Sequence, residues 1–284
     1  MISTIMLWVR DPIGVTNADN ISTDASALLD FLSNIPIYDK TRLGSWNGSA
    51  VTTDNASAVC NWFGVTCTNN RVVELRLPGA RLNGPVAAST LGRLTELRVL
   101  SLRSNNLSGS LPPDLANCRS LATLNLSSNS LSGNFLPDLP SSAWPSLATL
   151  DLSFNQFAGP IPPSISNLPS LAVLRLQSNN FSGPIPVIPR PPLDDLDLSD
   201  NDLEGSIPSS YADLPAESFI GNPKLCGPPL PLRCPKKTLS AGSIAGIVLA
   251  IVAFLFSSAL CVIVVYVRRT RFVRAKETRD GSTC

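Results

Sequence analysis

Few residue types in this 284-residue chain could carry catalysis, and the most telling is absent: there is no histidine. Without an imidazole, no Ser/His/Asp or Cys/His nucleophile system can be assembled, nor any His-ligated zinc or haem site. The sequence also lacks a Gly-rich phosphate loop, a strand lysine and a catalytic-loop aspartate in the arrangements that phosphoryl transfer requires, so no catalytic residue, cofactor or metal is expected. Binding and modification chemistry remain. Six Asn-x-Ser sequons, at Asn20, Asn47, Asn55, Asn106, Asn125 and Asn180, are candidate glycosylation sites on an exported surface. Polar side chains also recur at alternate positions inside apolar stretches, among them Arg76, Arg103, Asn125, Asp151, Arg175, Gln177, Asp195 and Asp197. The charge balance of 22 basic against 21 acidic residues argues against a chain globally committed to nucleic acid.

The elements that must position these residues follow from an internal repeat. Six segments fit the frame L-x-x-L-x-L-x-x-N-x-L-x-G, starting at Val72, Leu97, Leu121, Leu147, Leu171 and Leu193. This is the frame of a leucine-rich repeat. The Leu-x-Leu pairs fall at Leu75/Leu77, Leu100/Leu102, Leu124/Leu126, Leu150/Leu152, Leu174/Leu176 and Leu196/Leu198. Each pair buries two leucines on one face of a short strand while the residues between them point outward, so every repeat adds one strand to a parallel ladder. Asn105, Asn129, Asn155, Asn179 and Asn201 hold the turn position, where a side chain that both donates and accepts can satisfy backbone groups; the first repeat has Ala80 there. A glycine follows four residues later, at Gly84, Gly109, Gly133, Gly159, Gly183 and Gly205, where a side chain is expected to obstruct the turn. Leu-Pro or Ile-Pro pairs at 111–112, 161–162, 185–186 and 207–208 favour an extended or short 3₁₀ return leg over a long helix.

The predicted fold is therefore a leucine-rich-repeat solenoid. Its outward strand residues form the candidate recognition strip on the concave face, basic in the first two repeats through Arg76 and Arg103 and acidic in the last through Asp195 and Asp197. A peptide, an oligosaccharide or another ectodomain is the expected occupant, against the alternative of a merely solvated face. A glycan on Asn125 would block the middle of the strip.

A second element stands apart. Ile244–Val267 is 24 residues without a charge, about 36 Å as a helix, enough to span a bilayer. Arg268, Arg269, Arg271, Arg274 and Lys276 follow it, which by the positive-inside rule places the C-terminus in the cytoplasm and the repeats outside, at the plasma membrane. Gly242, Gly246 and Ala250 recur every fourth position, the spacing that lets two membrane helices approach and form a homo- or heterodimer. The 17 residues after Val267 carry six basic and two acidic groups, suited to anionic lipid.

The repeat form L-x-G-x-I-P is similar to that of plant extracellular leucine-rich-repeat proteins. Ahead of the repeats, the segment from Asp24 to Phe31, Trp46 and the stretch Cys60-Asn-Trp-Phe-Gly-Val-Thr-Cys67 resemble the N-terminal cap of plant leucine-rich-repeat receptor-like kinases. Behind them, residues 218–230 with Cys234 resemble that family's C-terminal cap, and residues 240–248 the membrane entry of its short-ectodomain, often kinase-impaired subfamily. With caps so placed, Cys60/Cys67 and Cys226/Cys234 are read as two disulfides stapling segments too small for a core of their own; a zinc site built from all four is disfavoured because the pairs lie at opposite ends of the array. Cys118 is expected to be a buried thiol, Cys261 to face lipid or a helix partner, and Cys284 to lie in the cytoplasm. Thr23 is expected to cap a helix whose Ala27, Leu28, Phe31 and Leu32 cover the first repeat.

The expected organisation is a marginal signal peptide at 1–18, an N-terminal cap at 19–70, six repeats at 71–214, a C-terminal cap at 215–235, a juxtamembrane stretch at 236–243, the membrane helix at 244–267 and a basic tail at 268–284. The resemblance implies the extracellular ligand- or co-receptor-binding part of a receptor-like kinase whose kinase domain does not lie in this chain. A naturally kinase-less co-receptor or decoy is one alternative; a cell-wall inhibitor of pathogen polysaccharide hydrolases is another.

Overall fold

The computed structural model describes residues 17–50, 56–135, 140, 143–188, 193–235 and 241–280. The chain divides after Cys234 into two compact units. The expected signal peptide lies almost wholly outside the described residues, as do Asn55 and Cys284.

The first unit is built on a seven-stranded ladder. Val65–Thr68 pairs antiparallel with Arg71–Arg76, and five three-residue strands then add in parallel: Val99–Ser101, Thr123–Asn125, Thr149–Asp151, Val173–Arg175 and Asp195–Asp197. Leu75, Leu100, Leu124, Leu150, Leu174 and Leu196 stand in one register across it, all buried. Shifting any strand by one residue would turn its leucine to solvent, so the pattern itself locks the register.

The return legs contain the expected short 3₁₀ turns at Leu91–Arg93, Pro113–Asn117, Pro163–Asn167 and Ser209–Tyr211. They also form a second seven-stranded sheet that the leucine spacing did not reveal. Its strands are Asn83–Pro85, Asn106–Gly109, Ser130–Asn134, Gln156–Pro160, Asn180–Gly183, Asp202–Ser206 and Lys224–Cys226, all pairing in parallel. The recurring glycines lie in these strands; a side chain would be obstructed at Gly84, 2.7 Å from Pro36 Cδ, and at Gly159, 2.6 Å from Asn134 Oδ1, but not at others. A Cβ on Gly205 would meet nothing within 4 Å, and one on Gly109 only Pro85 Cβ at 3.7 Å, yet their φ angles are +87° and +76°. Backbone handedness, not lack of room, selects glycine there.

Between the two sheets the asparagines act as cross-ties. Nδ2 of Asn155 donates to the carbonyls of Leu126 at 3.0 Å and Leu152 at 3.0 Å, while its Oδ1 accepts from Leu131 N–H at 3.0 Å. Asn105, Asn129, Asn179 and Asn201 repeat this arrangement with the equivalent residues. Phe135, Phe157 and Phe181 pack in sequence at 6.2 Å between successive ring centroids, the first pair edge-to-face and the second stacked.

Helix α1, Asn17–Ser33, closes the N-terminal end, with Ala27, Leu28, Phe31 and Leu32 buried as their spacing predicts. Thr23 lies inside this helix rather than at its start, which corrects the expected cap: the described helix already includes the seven residues Asn17 to Thr23. The cap is fastened by Asp24, fully buried, whose carboxylate accepts from Arg71 Nε at 2.9 Å, Arg71 Nη2 at 3.0 Å and the Val72 N–H at 2.9 Å. These hydrogen bonds hold the Arg71 guanidinium even further above neutral than arginine's usual range, against the opposing effect of its own partial burial. Trp46 and Trp62 stack at 5.4 Å beside the Cys60–Cys67 disulfide, whose Cα atoms are 5.5 Å apart. At the other end a Cys226–Cys234 disulfide, with Cα atoms 4.9 Å apart, staples the C-terminal cap.

The second unit is helix α2, Ala241–Asp280. It contains the one stretch among the described residues long and apolar enough to cross a membrane, Leu249–Arg269. The side chains of Leu249 to Val267 are exposed, including Cys261.

Candidate partner-binding face

The ladder's outward residues stand in rows, because parallel pairing in register places equivalent positions side by side. One row runs Arg76, Ser101, Asn125, Asp151, Arg175, Asp197; the next, two residues on, runs Arg103, Ser127, Ser153, Gln177, Ser199. A third row, two residues before the first, runs Glu74, Val99, Thr123, Thr149, Val173, Asp195, so the eight expected contact residues do share one face. They are not equally available.

Arg76 donates through Nε to Glu74 at 2.9 Å, and Arg175 through Nε to Asp195 at 2.8 Å. Both arginines thus spend their charge on neighbours of the same face. Arg103 is exposed and makes no ion pair among the described residues. Asn125 donates Nδ2 to Asp151 at 3.2 Å and accepts from the Ser127 N–H and hydroxyl at 3.1 and 2.8 Å. Asp151 is the correction on this face: only 6 % exposed, it accepts from the Ser153 N–H at 3.1 Å and hydroxyl at 2.6 Å, so its carboxylate organises the turn after the strand instead of facing solvent. Asp197 makes the same pair of bonds with Ser199 but stays half-buried. Gln177 is half-buried, and its Oε1 finds no hydrogen-bond partner among the described residues.

The expected charge gradient persists in a reduced form. On the strip, Arg103 makes no ion pair among the described residues at the first end, while Asp194, Asp197 and Asp200 lack a cationic partner among them at the other. No group of three or more His, Cys, Asp or Glu that could hold a metal ion occurs among the described residues.

Two features, one on the face and one in the cap beside it, were missed by reading the sequence. Phe154 is 55 % exposed in a row otherwise filled by Gly79, Ser104, Ser128, Ser178 and Asp200, and like them it is held at positive φ, here +54°. That conformation is unfavourable for a bulky L-residue, and an exposed phenylalanine in a serine row was the available signal. The second is Asn222, which continues the asparagine series into the C-terminal cap: Nδ2 donates to Leu198 O and Phe219 O, each at 3.0 Å, and Oδ1 accepts from Leu203 N–H at 3.0 Å. The cap is a seventh repeat cut short, hidden in the sequence because Glu217, Phe219 and Lys224 stand where the frame has leucines after Leu214.

Among the sequons, Asn106 and Asn180 are exposed on the second sheet, Asn47 is exposed in the N-terminal cap and Asn125 sits on the ladder face. The backbone of Asn20 lies in α1, and those of Gly242, Gly246 and Ala250 lie at one-turn spacing in the first turns of α2. Cys118 is buried beside Leu91 O, and burial, reinforced by the charge of Asp114, pushes its thiol up to about 12.

Comparison with known proteins places this architecture. Residues 21–68 match the leucine rich repeat N-terminal domain, and residues 96–118, 120–142, 146–168 and 192–214 match the leucine rich repeat. A probable inactive receptor kinase of Arabidopsis thaliana is 44 % identical over 109 residues, 37 % of this chain and 15 % of that protein. The match thus spans only about a seventh of that relative's length. The crystal structure of a Pollen Receptor Kinase 3 is 34 % identical with a TM-score of 0.62, the alignment covering 74 % of this chain and 100 % of that one. A chain in the structure of the Arabidopsis receptor kinase HAESA, solved with the peptide hormone IDA and the co-receptor SERK1, is 38 % identical with a TM-score of 0.52, covering 56 % of this chain and 27 % of that one. The ladder register, the two disulfide-stapled caps and full coverage of a receptor ectodomain at this identity give one answer: the chain belongs to the plant leucine-rich-repeat receptor-kinase family.

Proposed function

We propose that this chain is the recognition part of a single-pass plasma-membrane receptor, with its repeats outside the cell, and that it signals by bringing a kinase-bearing partner into proximity across the bilayer. The observation that carries this reading is the uninterrupted ladder face, whose backbone repeats while its side chains change from Arg103 through Ser127 and Ser153 to Gln177. Such a face offers a partner many independent contact points on a rigid support. The similarity to an ectodomain solved with a peptide hormone and a co-receptor favours a peptide or a second ectodomain as that partner. The names of several relatives, which are called inactive kinases, favour signalling by association over catalysis.

A photo-crosslinking residue at Thr123, on the ladder, should capture an extracellular partner when the full chain is displayed on plant cells, and one at Gln156, on the second sheet, should not. Equal capture from both positions would overturn the reading. Association of α2 through Gly242, Gly246 and Ala250 is part of the same proposal, and Gly246→Leu should reduce it in a membrane dimerisation reporter. An unchanged signal would remove that part.

A further inference from the structure

The edge of the ladder face nearest the C-terminal cap combines three features that no role in folding explains. The exposed Phe154 ring stands at the fourth repeat. Asp200 occupies the same row two repeats later, exposed and without a cationic partner among the described residues. Beyond it lies an apolar groove of about 340 Å³ in the cap, lined by Phe219, Ile220, Gly221, Leu225, Leu230 and Leu232 among others. Ile220 and Leu232 are 52 % and 56 % exposed at its edge, an unusual state for two aliphatic side chains so close together.

The three features form one line. The Phe154 N–H donates to Gln177 O at 2.9 Å, the Ser178 N–H to Ser199 O at 3.0 Å and the Asp200 N–H to Ile220 O at 2.9 Å, so each of these residues lies directly beside the next repeat. Asp200 lies against Gly221, one of the residues lining the groove. A Cβ on Gly221 would lie 2.1 Å from Asp200 Oδ1, and the φ of +74° at Gly221 bars a side chain as well. The carboxylate is therefore next to one wall of the groove.

Adjacent strands are about 4.8 Å apart, so three steps from Phe154 to Gly221 cover about 14 Å, and an extended peptide at about 3.4 Å per residue covers that distance in four residues. Alternate side chains of such a peptide point the same way, so residues i, i+2 and i+4 face the surface together. We propose that this edge binds an extended peptide with an apolar residue at i against Phe154, Lys or Arg at i+2 reaching Asp200, and a second apolar residue at i+4 in the cap groove. The inference rests on the function proposed above, since it names the partner chemistry of that same face. Charge complementarity selects the occupant: Arg175 is tied to Asp195 and Lys224 to Asp202, so among the described residues neither cation neutralises the exposed Asp200, which is left to attract a basic residue.

The test is selection from a random nonapeptide display library against the full chain held in lipid nanodiscs. Enriched peptides should share the apolar-x-basic-x-apolar spacing, and their affinity should fall about tenfold in each of Phe154→Asn, Asp200→Asn and Leu232→Ser. All three positions are exposed, and asparagine tolerates positive φ, so the variants keep the fold. Enriched peptides without that spacing, or with affinity unchanged in the three variants, would overturn the proposal, as would a library from which nothing is enriched. Binding lost only in Arg103→Glu refutes this edge while leaving recognition by the ladder face in place. Binding lost in the three edge variants, together with equal crosslinking from Thr123 and Gln156, upholds the edge and refutes the broader reading.

Discussion

The two ends of the repeat array solve one problem by different means. Each must cover the hydrophobic cross-section that stacking leaves open. The N-terminal end does so with foreign material: α1, a stacked tryptophan pair and a buried carboxylate, Asp24, gripping Arg71 and the Val72 N–H. The C-terminal end imitates the array, extending the asparagine series to Asn222 and the second sheet to Lys224–Cys226 before a disulfide ends it. A foreign cap concentrates its stability in a few strong contacts, whereas a truncated repeat spreads it over weak ones identical in kind to those inside. The imitation leaves apolar surface at Ile220 and Leu232 uncovered, as the N-terminal cap does at Ile37 and Phe63.

This contrast can be broken experimentally. The largest effect is expected for Asp24→Ala, which strands a partly buried guanidinium and an N–H; it should cost about 3–5 kcal/mol of unfolding free energy in a denaturant titration. A loss under 1 kcal/mol would mean that the N-terminal cap is not held at one point. Next come the disulfides. Their loops are of nearly equal length, with sequence separations of 7 and 8, and by loop closure each contributes about 2.5 kcal/mol. Cys60→Ser and Cys226→Ser should therefore cost nearly the same, and unequal costs would show that the two caps lean on their staples to different degrees.

Asn222→Ala should cost about 2 kcal/mol, since it leaves Leu203 N–H and two carbonyls unpaired. Hydrogen exchange is the sharper readout: protection should fall in the C-terminal cap alone, whereas Asn155→Ala should lower it across the array. The smallest effects, about 1 kcal/mol each, separate the array's interior from both ends. Phe154→Asn should raise stability by relieving an unfavourable φ. Cys118 has a folded pKa raised above its unfolded value near 8.5, so its contribution is complete below that pH and is lost as pH rises toward about 12. At pH 9.5, Cys118→Ala should thus narrow its stability gap to the parent chain by about 1 kcal/mol relative to pH 7.

Much of this fold was legible in advance because it is periodic. The Leu-x-Leu pairs gave the ladder and its register, the recurrent asparagines gave the cross-ties, and an uncharged run gave the membrane-length helix. The candidate face was less legible. Placing Asp151 outward followed the alternation correctly, but alternation says nothing of whether a serine two residues on will take up the carboxylate. Arg76 and Arg175 read as free charges because Glu74 and Asp195 lie on neighbouring positions whose reach depends on rotamers.

What the sequence determined by itself was whatever repeats every 22 to 26 residues or runs uninterrupted, since such patterns fix which residues must be buried together. Tertiary structure alone decided three things: that Asp24 would meet Arg71 across 47 residues, that the glycine-bearing return legs would pair as a second sheet, and that Phe154, Asp200 and the cap groove would line up. Each depends on neighbours brought together by stacking, and a contact between residues from different repeats leaves no local period in the chain to announce it.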